Sequence, residues 1–142
     1  MRGISFWSEG DIGFHPDLWL LALVEVHRAG GWLMLHAAVL MNCHRAVGLT
    51  GVSSAGKSTA ALRIAGEGVE VLAEDQAWVR PADGLTVGLD LYLRALPDTL
   101  ARFASHLLER SVGIDHHGKP LLPVLEPGQS AQLQTLLIFG LL

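Results

Sequence analysis

The sequence predicts an α/β fold: a mixed β-sheet with few helices, arranged around one strand–glycine loop–helix unit. Three observations lead to it. Apolar runs of strand length recur along the chain and are bounded by turn residues. Helix signals occur at only a few places. One of them follows a strand directly through a run of small residues, Gly51 to Thr59.

In chain order, Gly3 to Ser8 reads as a short first strand. His15-Pro16-Asp17 then opens a helix, because proline suits a first helical position and an acid suits the positive end of the dipole. Leu18, Leu21, Ala22 and Val26 form its apolar face, and Gly30-Gly31 stop it. Trp32 to Met41 reads as one buried strand. Asn42-Cys43-His44-Arg45 is turn-like, and Ala46 to Thr50 returns as a strand that feeds the glycine loop. Lys57 to Ala65 has good helix formers and ends at Gly66-Glu67-Gly68. Val69 to Ala73 is a strand, Gln76 to Arg80 continues extended, and Pro81-Ala82-Asp83-Gly84 is a turn. Leu85 to Asp90 is the next strand. Pro97-Asp98 begins a helix with Leu100, Phe103, Ala104, Leu107 and Leu108 on its apolar face. Val112 to Asp115 and Pro120 to Val124 flank a turn at His116–Lys119. Ala131 to Leu142 is a last apolar strand, suited to the sheet centre or to a subunit interface.

The bulk properties narrow the function classes. The 142 residues fit one domain, residues 1–142. Half of them are apolar, enough for a proper core. With a net charge of −4 and no basic run, a nucleic-acid partner is not expected. The single cysteine, Cys43, cannot pair within the chain, which favours a reducing, cytoplasmic setting. The uncharged apolar stretches Gly31–Met41 and Leu136–Leu142 fall short of the ~20 residues that span a bilayer, and no signal peptide is apparent, so no membrane role is expected.

Gly51-Val52-Ser53-Ser54-Ala55-Gly56-Lys57-Ser58 fits G-x-x-x-x-G-K-[ST] at every fixed position. The chain's own residue frequencies give a chance match of roughly two in a thousand. Each residue type has a reason to be there. The glycines let backbone N–H groups point inward at phosphate oxygens, and the helix that follows adds its positive end. Gly51, Ser53, Ser54, Ala55, Gly56, Lys57, Ser58 and Thr59 are therefore the candidate nucleotide-binding residues. Lys57 would reach the β- and γ-phosphates of ATP, and Ser58 would ligate Mg²⁺. Such a site needs an acid at the end of a neighbouring strand, and Glu74-Asp75 after Val69–Ala73 supplies two. One would hold the metal, directly or through water, and the other could accept a proton from an attacking hydroxyl.

At these residues the chain resembles the bacterial HPr serine kinase family, whose P-loop fold is related to phosphoenolpyruvate carboxykinase. Leu35-His36-Ala37-Ala38-Val39 resembles the family's H-[AG]-x-x-[IV] strand. Gly51–Thr59 resembles its loop, and Ala73-Glu74-Asp75-Gln76 resembles its [AS]-D-D-x strand end. The likeness covers Leu35 to about Arg80. Leu91–Arg94 and Pro97–Leu100 weakly resemble the later part of diverged members. The resemblance implies transfer of a phosphoryl group from ATP to a serine hydroxyl of a protein or peptide. It implies Asp75 as base, Glu74 as metal holder and His36 near the phosphates, and it implies a homo-oligomer. The residues alone equally allow His36 to be a strand histidine satisfied in the core. Glu74 stands where the family has aspartate, and the family's downstream signature has no clear counterpart here.

Other features read more plainly. His116-His117 suits a turn better than a metal site. Cys43 carries no nucleophile signature. Trp7, Trp19, Trp32 and Trp78 suit a core. An arginine could neutralise charge on a transferred phosphoryl group, and Arg63, Arg80, Arg94 and Arg102 are candidates. A nucleotide-gated binding module and a small-molecule kinase are the alternatives to a protein serine kinase.

Overall fold

The computed structural model describes residues 16–53, 55–124 and 128–140. The expected strand Gly3–Ser8 lies outside them, as do Ser54, Leu141 and Leu142, and the side chains of Trp7 and Trp19 are not described. Helix α1 (Pro16–Ala29) is followed by strands β1 (Leu33–His36), β2 (Ala38–Asn42) and β3 (Arg45–Gly51). After the glycine loop come α2 (Lys57–Gly66), β4 (Glu70–Ala73), β5 (Gln76–Arg80) and β6 (Leu85–Gly88). The chain continues through β7 (Tyr92–Arg94), α3 (Pro97–Phe103), a 3-10 helix (Ser105–Arg110), β8 (Leu121–Pro123) and β9 (Ser130–Phe139). The expected α/β class with a mixed sheet and few helices is what forms. The main sheet has seven strands in the order β1-β5-β6-β9-β3-β2-β4, and β7 pairs with β8 in a small second sheet. β3 and β9 run parallel, and the other pairs are antiparallel.

The order has a geometric consequence. β1 and β2 stand five strand positions apart, yet one residue, Ala37, joins them. β4 and β5 stand equally far apart, and Glu74-Asp75 alone join them. In a flat sheet five positions measure about 24 Å, whereas two or three residues reach only about 10 Å. The sheet therefore curls until its two ends meet. Inside the curl lie Ala37, Val39, Met41, Ala46, Leu72, Ala73, Ala77 and Ala131, mostly alanines, whose small side chains allow the close approach. On the other face, Ala38, Leu40 and Leu49 pack with Leu62, Leu100 and Leu107 under the helices. β2 thus buries both faces by simple alternation.

This curl overturns one sequence expectation. Trp32–Met41 is not one strand: it splits at Ala37, and its halves pair with different neighbours. Apart from His36, the apolar run carries no mark of the split, which is imposed by the different partners of its two halves. The helix at Pro97 also breaks, at Ala104 (φ −156°, ψ 47°). Leu100, Ala104 and Leu107 still face the same core, so their periodicity does not register the break. The last strand is central in order, as expected, but Leu136, Leu137 and Ile138 are exposed. β6 pairs with β9 only over Ser130–Gln132, which leaves these residues uncovered on that side. Trp78 is buried, as expected of a core tryptophan, and Trp32 is half-buried. His116-His117 lie in a turn, as expected. Cys43 is exposed and free. Among the described residues no helix is long and apolar enough to cross a membrane.

The β2–β3 hairpin turns through Cys43 and His44, at φ 48° and 60°. Two consecutive left-handed residues define a type I′ turn, which favours asparagine and glycine. The double variant Cys43→Asn, His44→Gly should gain about 1 kcal/mol by relieving left-handed strain. Urea unfolding would measure it, and a loss of stability would contradict the turn assignment.

Candidate functional site

The site forms where the curl closes. β3 runs into the glycine loop, and β4 runs in the same direction with antiparallel β2 between them. Both strands therefore end at the same edge, as the sequence reading required. Two glycines shape the loop for different reasons. A Cβ on Gly51 would lie 2.3 Å from the Phe139 carbonyl oxygen, so only glycine fits. Gly56 has open space but φ +92°, a conformation that side chains disfavour. From its carbonyl, α2 begins with an Ala60 N–H bond of 2.9 Å.

Lys57 is buried at the start of α2, with its stem packed and its Nζ turned back on the loop. It donates to the carbonyls of Gly51 (2.9 Å) and Val52 (3.1 Å). Its ammonium is thus held by neutral oxygens that a stronger anion could replace. Ser58 Oγ lies 3.5 Å from Glu74 Oε1, the outer limit of a hydrogen bond. The other Glu74 oxygen accepts from Arg94 Nη1 at 3.2 Å. The Glu74 side chain is only 10% exposed. Burial pushes its carboxyl above the usual range; Arg94 opposes this and Asp90 adds to it.

On the outer side of the same turn, His36 Nε2 is 2.7 Å from Asp75 Oδ1. Both side chains are about half exposed or more, which removes the reading of His36 as a core histidine. Two bonds set this pair. Thr50 Oγ1 donates to the His36 carbonyl at 2.8 Å, and the Ala37 N–H donates to the Asp75 carbonyl at 3.0 Å. The end of β3 thereby ties down the residue before the crossing.

Beside the loop lies a cleft of about 360 Å³. Gly56, Lys57, Ser58 and Thr59 form one wall, and Glu74, Arg94, Leu96, Thr99 and Lys119 contribute to the rest. Three cations and one acid line it, which suits an anionic ligand. The structure also separates the four candidate arginines. Arg94 reaches the cleft. Arg63 and Arg102 lie over the Phe103 ring, and Arg80 pairs with Asp83 beside Trp32. Among the described residues no cluster of three or more His, Cys, Asp or Glu would chelate a metal unaided. Ser58 and Glu74 offer hard oxygen donors, the kind Mg²⁺ takes when a ligand's phosphates complete its shell.

Of the residues singled out from sequence, Gly51, Ala55, Gly56, Lys57, Ser58, Thr59, His36, Glu74 and Asp75 gather around this turn and loop. Ser53 belongs to the loop, and Ser54 lies outside the described residues. Lys119, Thr99 and Asp90 were not foreseen. Lys119 is one of only two lysines, a weak signal; Asp90 closes an apolar run, where a carboxylate needs a reason. Comparison of the chain with protein-family models and with curated proteins finds no match.

Because Glu74 has a raised folded-state pKa, the folded state binds more protons than the unfolded chain between the two values. Stability therefore falls as pH rises from the ordinary carboxylate range through the raised value. Against Glu74→Gln, the native chain should lose relative stability over that interval, measured by urea unfolding at stepped pH. The broken Arg94 pair adds a constant offset and leaves the slope intact. A relative gain with rising pH would refute the burial of the charge.

Proposed function

We propose that the chain is an ATP-dependent phosphotransferase that moves the γ-phosphoryl group of Mg·ATP to a serine hydroxyl of a protein or peptide. In this reading Gly51–Thr59 is a P-loop on a fold like that of HPr serine kinase and phosphoenolpyruvate carboxykinase. The observation that carries it is the convergence of three separated pieces at one sheet edge: His36, the loop with Lys57 and Ser58, and Glu74-Asp75. These are the three pieces that carry the family resemblance.

The chemistry assigns each group a task. Lys57 would leave the loop carbonyls for the β- and γ-phosphates, exchanging neutral acceptors for charged ones. Ser58 and Glu74, with Asp75 nearby, would hold Mg²⁺, which would supply neutralisation of the phosphate charge. Arg94, on the cleft wall, neutralises charge on the group in transfer. The serine oxygen forms a bond to the γ-phosphorus as the bond to the β–γ bridging oxygen breaks, and ADP departs. The hydroxyl proton goes to Asp75, whose carboxylate His36 orients. The exposure of Asp75 suits an acceptor hydroxyl carried by a large partner.

A second reading is a nucleotide-gated binding module without transfer. The Arg94–Glu74 pair favours it, because it engages the carboxylate that would hold the metal. Labelled ATP offered to separated protein and metabolite fractions discriminates. Label in protein supports the kinase, label in metabolites supports a small-molecule kinase, and binding without label supports the module.

Two variants test the roles. Lys57→Ala should weaken triphosphate binding by roughly tenfold to a hundredfold, read by calorimetry, because a charge-assisted contact is lost. Unchanged affinity would remove the P-loop reading. Asp75→Asn should keep ATP binding and slow transfer by about 10²–10⁴-fold. Normal phosphorylation by that variant would remove Asp75 as the base.

A further inference from the structure

Asp90 lies beyond β6, outside every motif in the chain. One of its oxygens, Oδ2, accepts three consecutive backbone N–H groups: Glu74 at 2.8 Å, Asp75 at 2.8 Å and Gln76 at 2.9 Å. Glu74 and Asp75 cross between the two ends of the sheet, and Gln76 opens β5. The same region shows a second, independent adaptation. A Cβ on Gly88 would fall 1.7 Å from the Leu72 carbonyl oxygen, so only glycine lets the end of β6 lie against β4. Leu89 N–H then bonds the Gln76 carbonyl at 3.2 Å, which brings the next residue over the crossing.

Three parallel amides aimed at one oxygen hold a backbone more tightly than a single bond, and an anionic acceptor strengthens each. The peptide planes of residues 74–76 set where the Glu74 and Asp75 side chains emerge. Glu74 emerges toward Ser58 and Arg94, and Asp75 toward His36. Asp90 lies outside the set of residues lining the cleft.

We infer that Asp90 is a positioning residue: its carboxylate clamps the Glu74–Gln76 backbone so that the metal-holding carboxylate of Glu74 faces the cleft and the proton-accepting carboxylate of Asp75 faces His36. This inference rests on the phosphotransferase reading for its consequence, but the clamp can be read without nucleotide. Supporting groups of this kind typically change metal affinity or activity by ~10–100-fold when removed.

The test compares wild type, Asp90→Ala and Asp90→Asn. Asp90→Ala should bind metal-free ATP as wild type does, because Lys57 and the loop are untouched. Its Mg²⁺ requirement for ATP binding and for transfer should rise by about tenfold or more. Asp90→Asn should recover most of that loss, because its carbonyl oxygen can take the same donors. An unchanged Mg²⁺ requirement in folded Asp90→Ala would overturn the inference, as would an Asp90→Asn no better than Asp90→Ala. Amide hydrogen exchange gives the readout free of nucleotide. Exchange at Glu74, Asp75 and Gln76 should quicken in Asp90→Ala while β2 and β3 keep their protection. Should Asp90→Ala fail to fold, Asp90→Ser, whose shorter side chain cannot place an oxygen where Oδ2 takes the three donors, carries the test through faster exchange at the same three amides, and exchange equal to wild type overturns the clamp. If wild type binds no nucleotide while the three amides lose protection in the variant, the phosphotransferase reading falls and the clamp stands.

Discussion

Everything in this structure depends on the double crossing that joins the two ends of the curled sheet. The chain passes between those ends twice, once at Ala37 and once at Glu74-Asp75, and the two passages lie side by side. A crossing residue cannot stay in a ladder, so its backbone groups need other partners. Here the Asp75 carbonyl takes the Ala37 N–H, and the Asp90 carboxylate takes three N–H groups in a row. The need for polar partners at the reversal is what brings polar side chains to an otherwise apolar sheet edge.

The charge arrangement follows from that geometry. Lys57 and Arg94 are each engaged, the one with loop carbonyls and the other with Glu74. Glu74 is nearly buried, and its desolvation outweighs the help of Arg94. The cleft therefore holds positive charge matched by weak internal partners. An anion entering it would give Lys57 a charged acceptor in place of neutral carbonyls. That exchange is what the proposed phosphotransferase reading asks of Lys57, while Arg94 and Glu74 form an ion pair on the cleft wall.

Local features were legible in the sequence. Pro16 and Gly30 bracket α1 to within a residue, and Gly66–Gly68 end α2. The hairpin around Cys43-His44 and the turn at Pro81–Gly84 also form where expected. The misreadings share one cause. Trp32–Met41 splits because β5, 40 to 46 positions along the chain, claims one half, while β3 and β4 claim the other. The break at Ala104 accompanies close packing, since a Cβ on Gly66 would come within 3.4 Å of Ala104 and Phe103. No local propensity encodes either event.

The same division runs through the site. By itself the sequence determined the glycine loop, its lysine and serine, and the acid pair, because each needs only near neighbours and a strand or helix of the right length. The tertiary structure decided which arginine faces the loop, that His36 meets Asp75 rather than the core, and that Asp90 grips the crossing. Those contacts join residues 14 to 39 positions apart, and Arg94 meets Glu74 across 20. Their partners are chosen by how the sheet curls, and the curl is a property of all seven strands together.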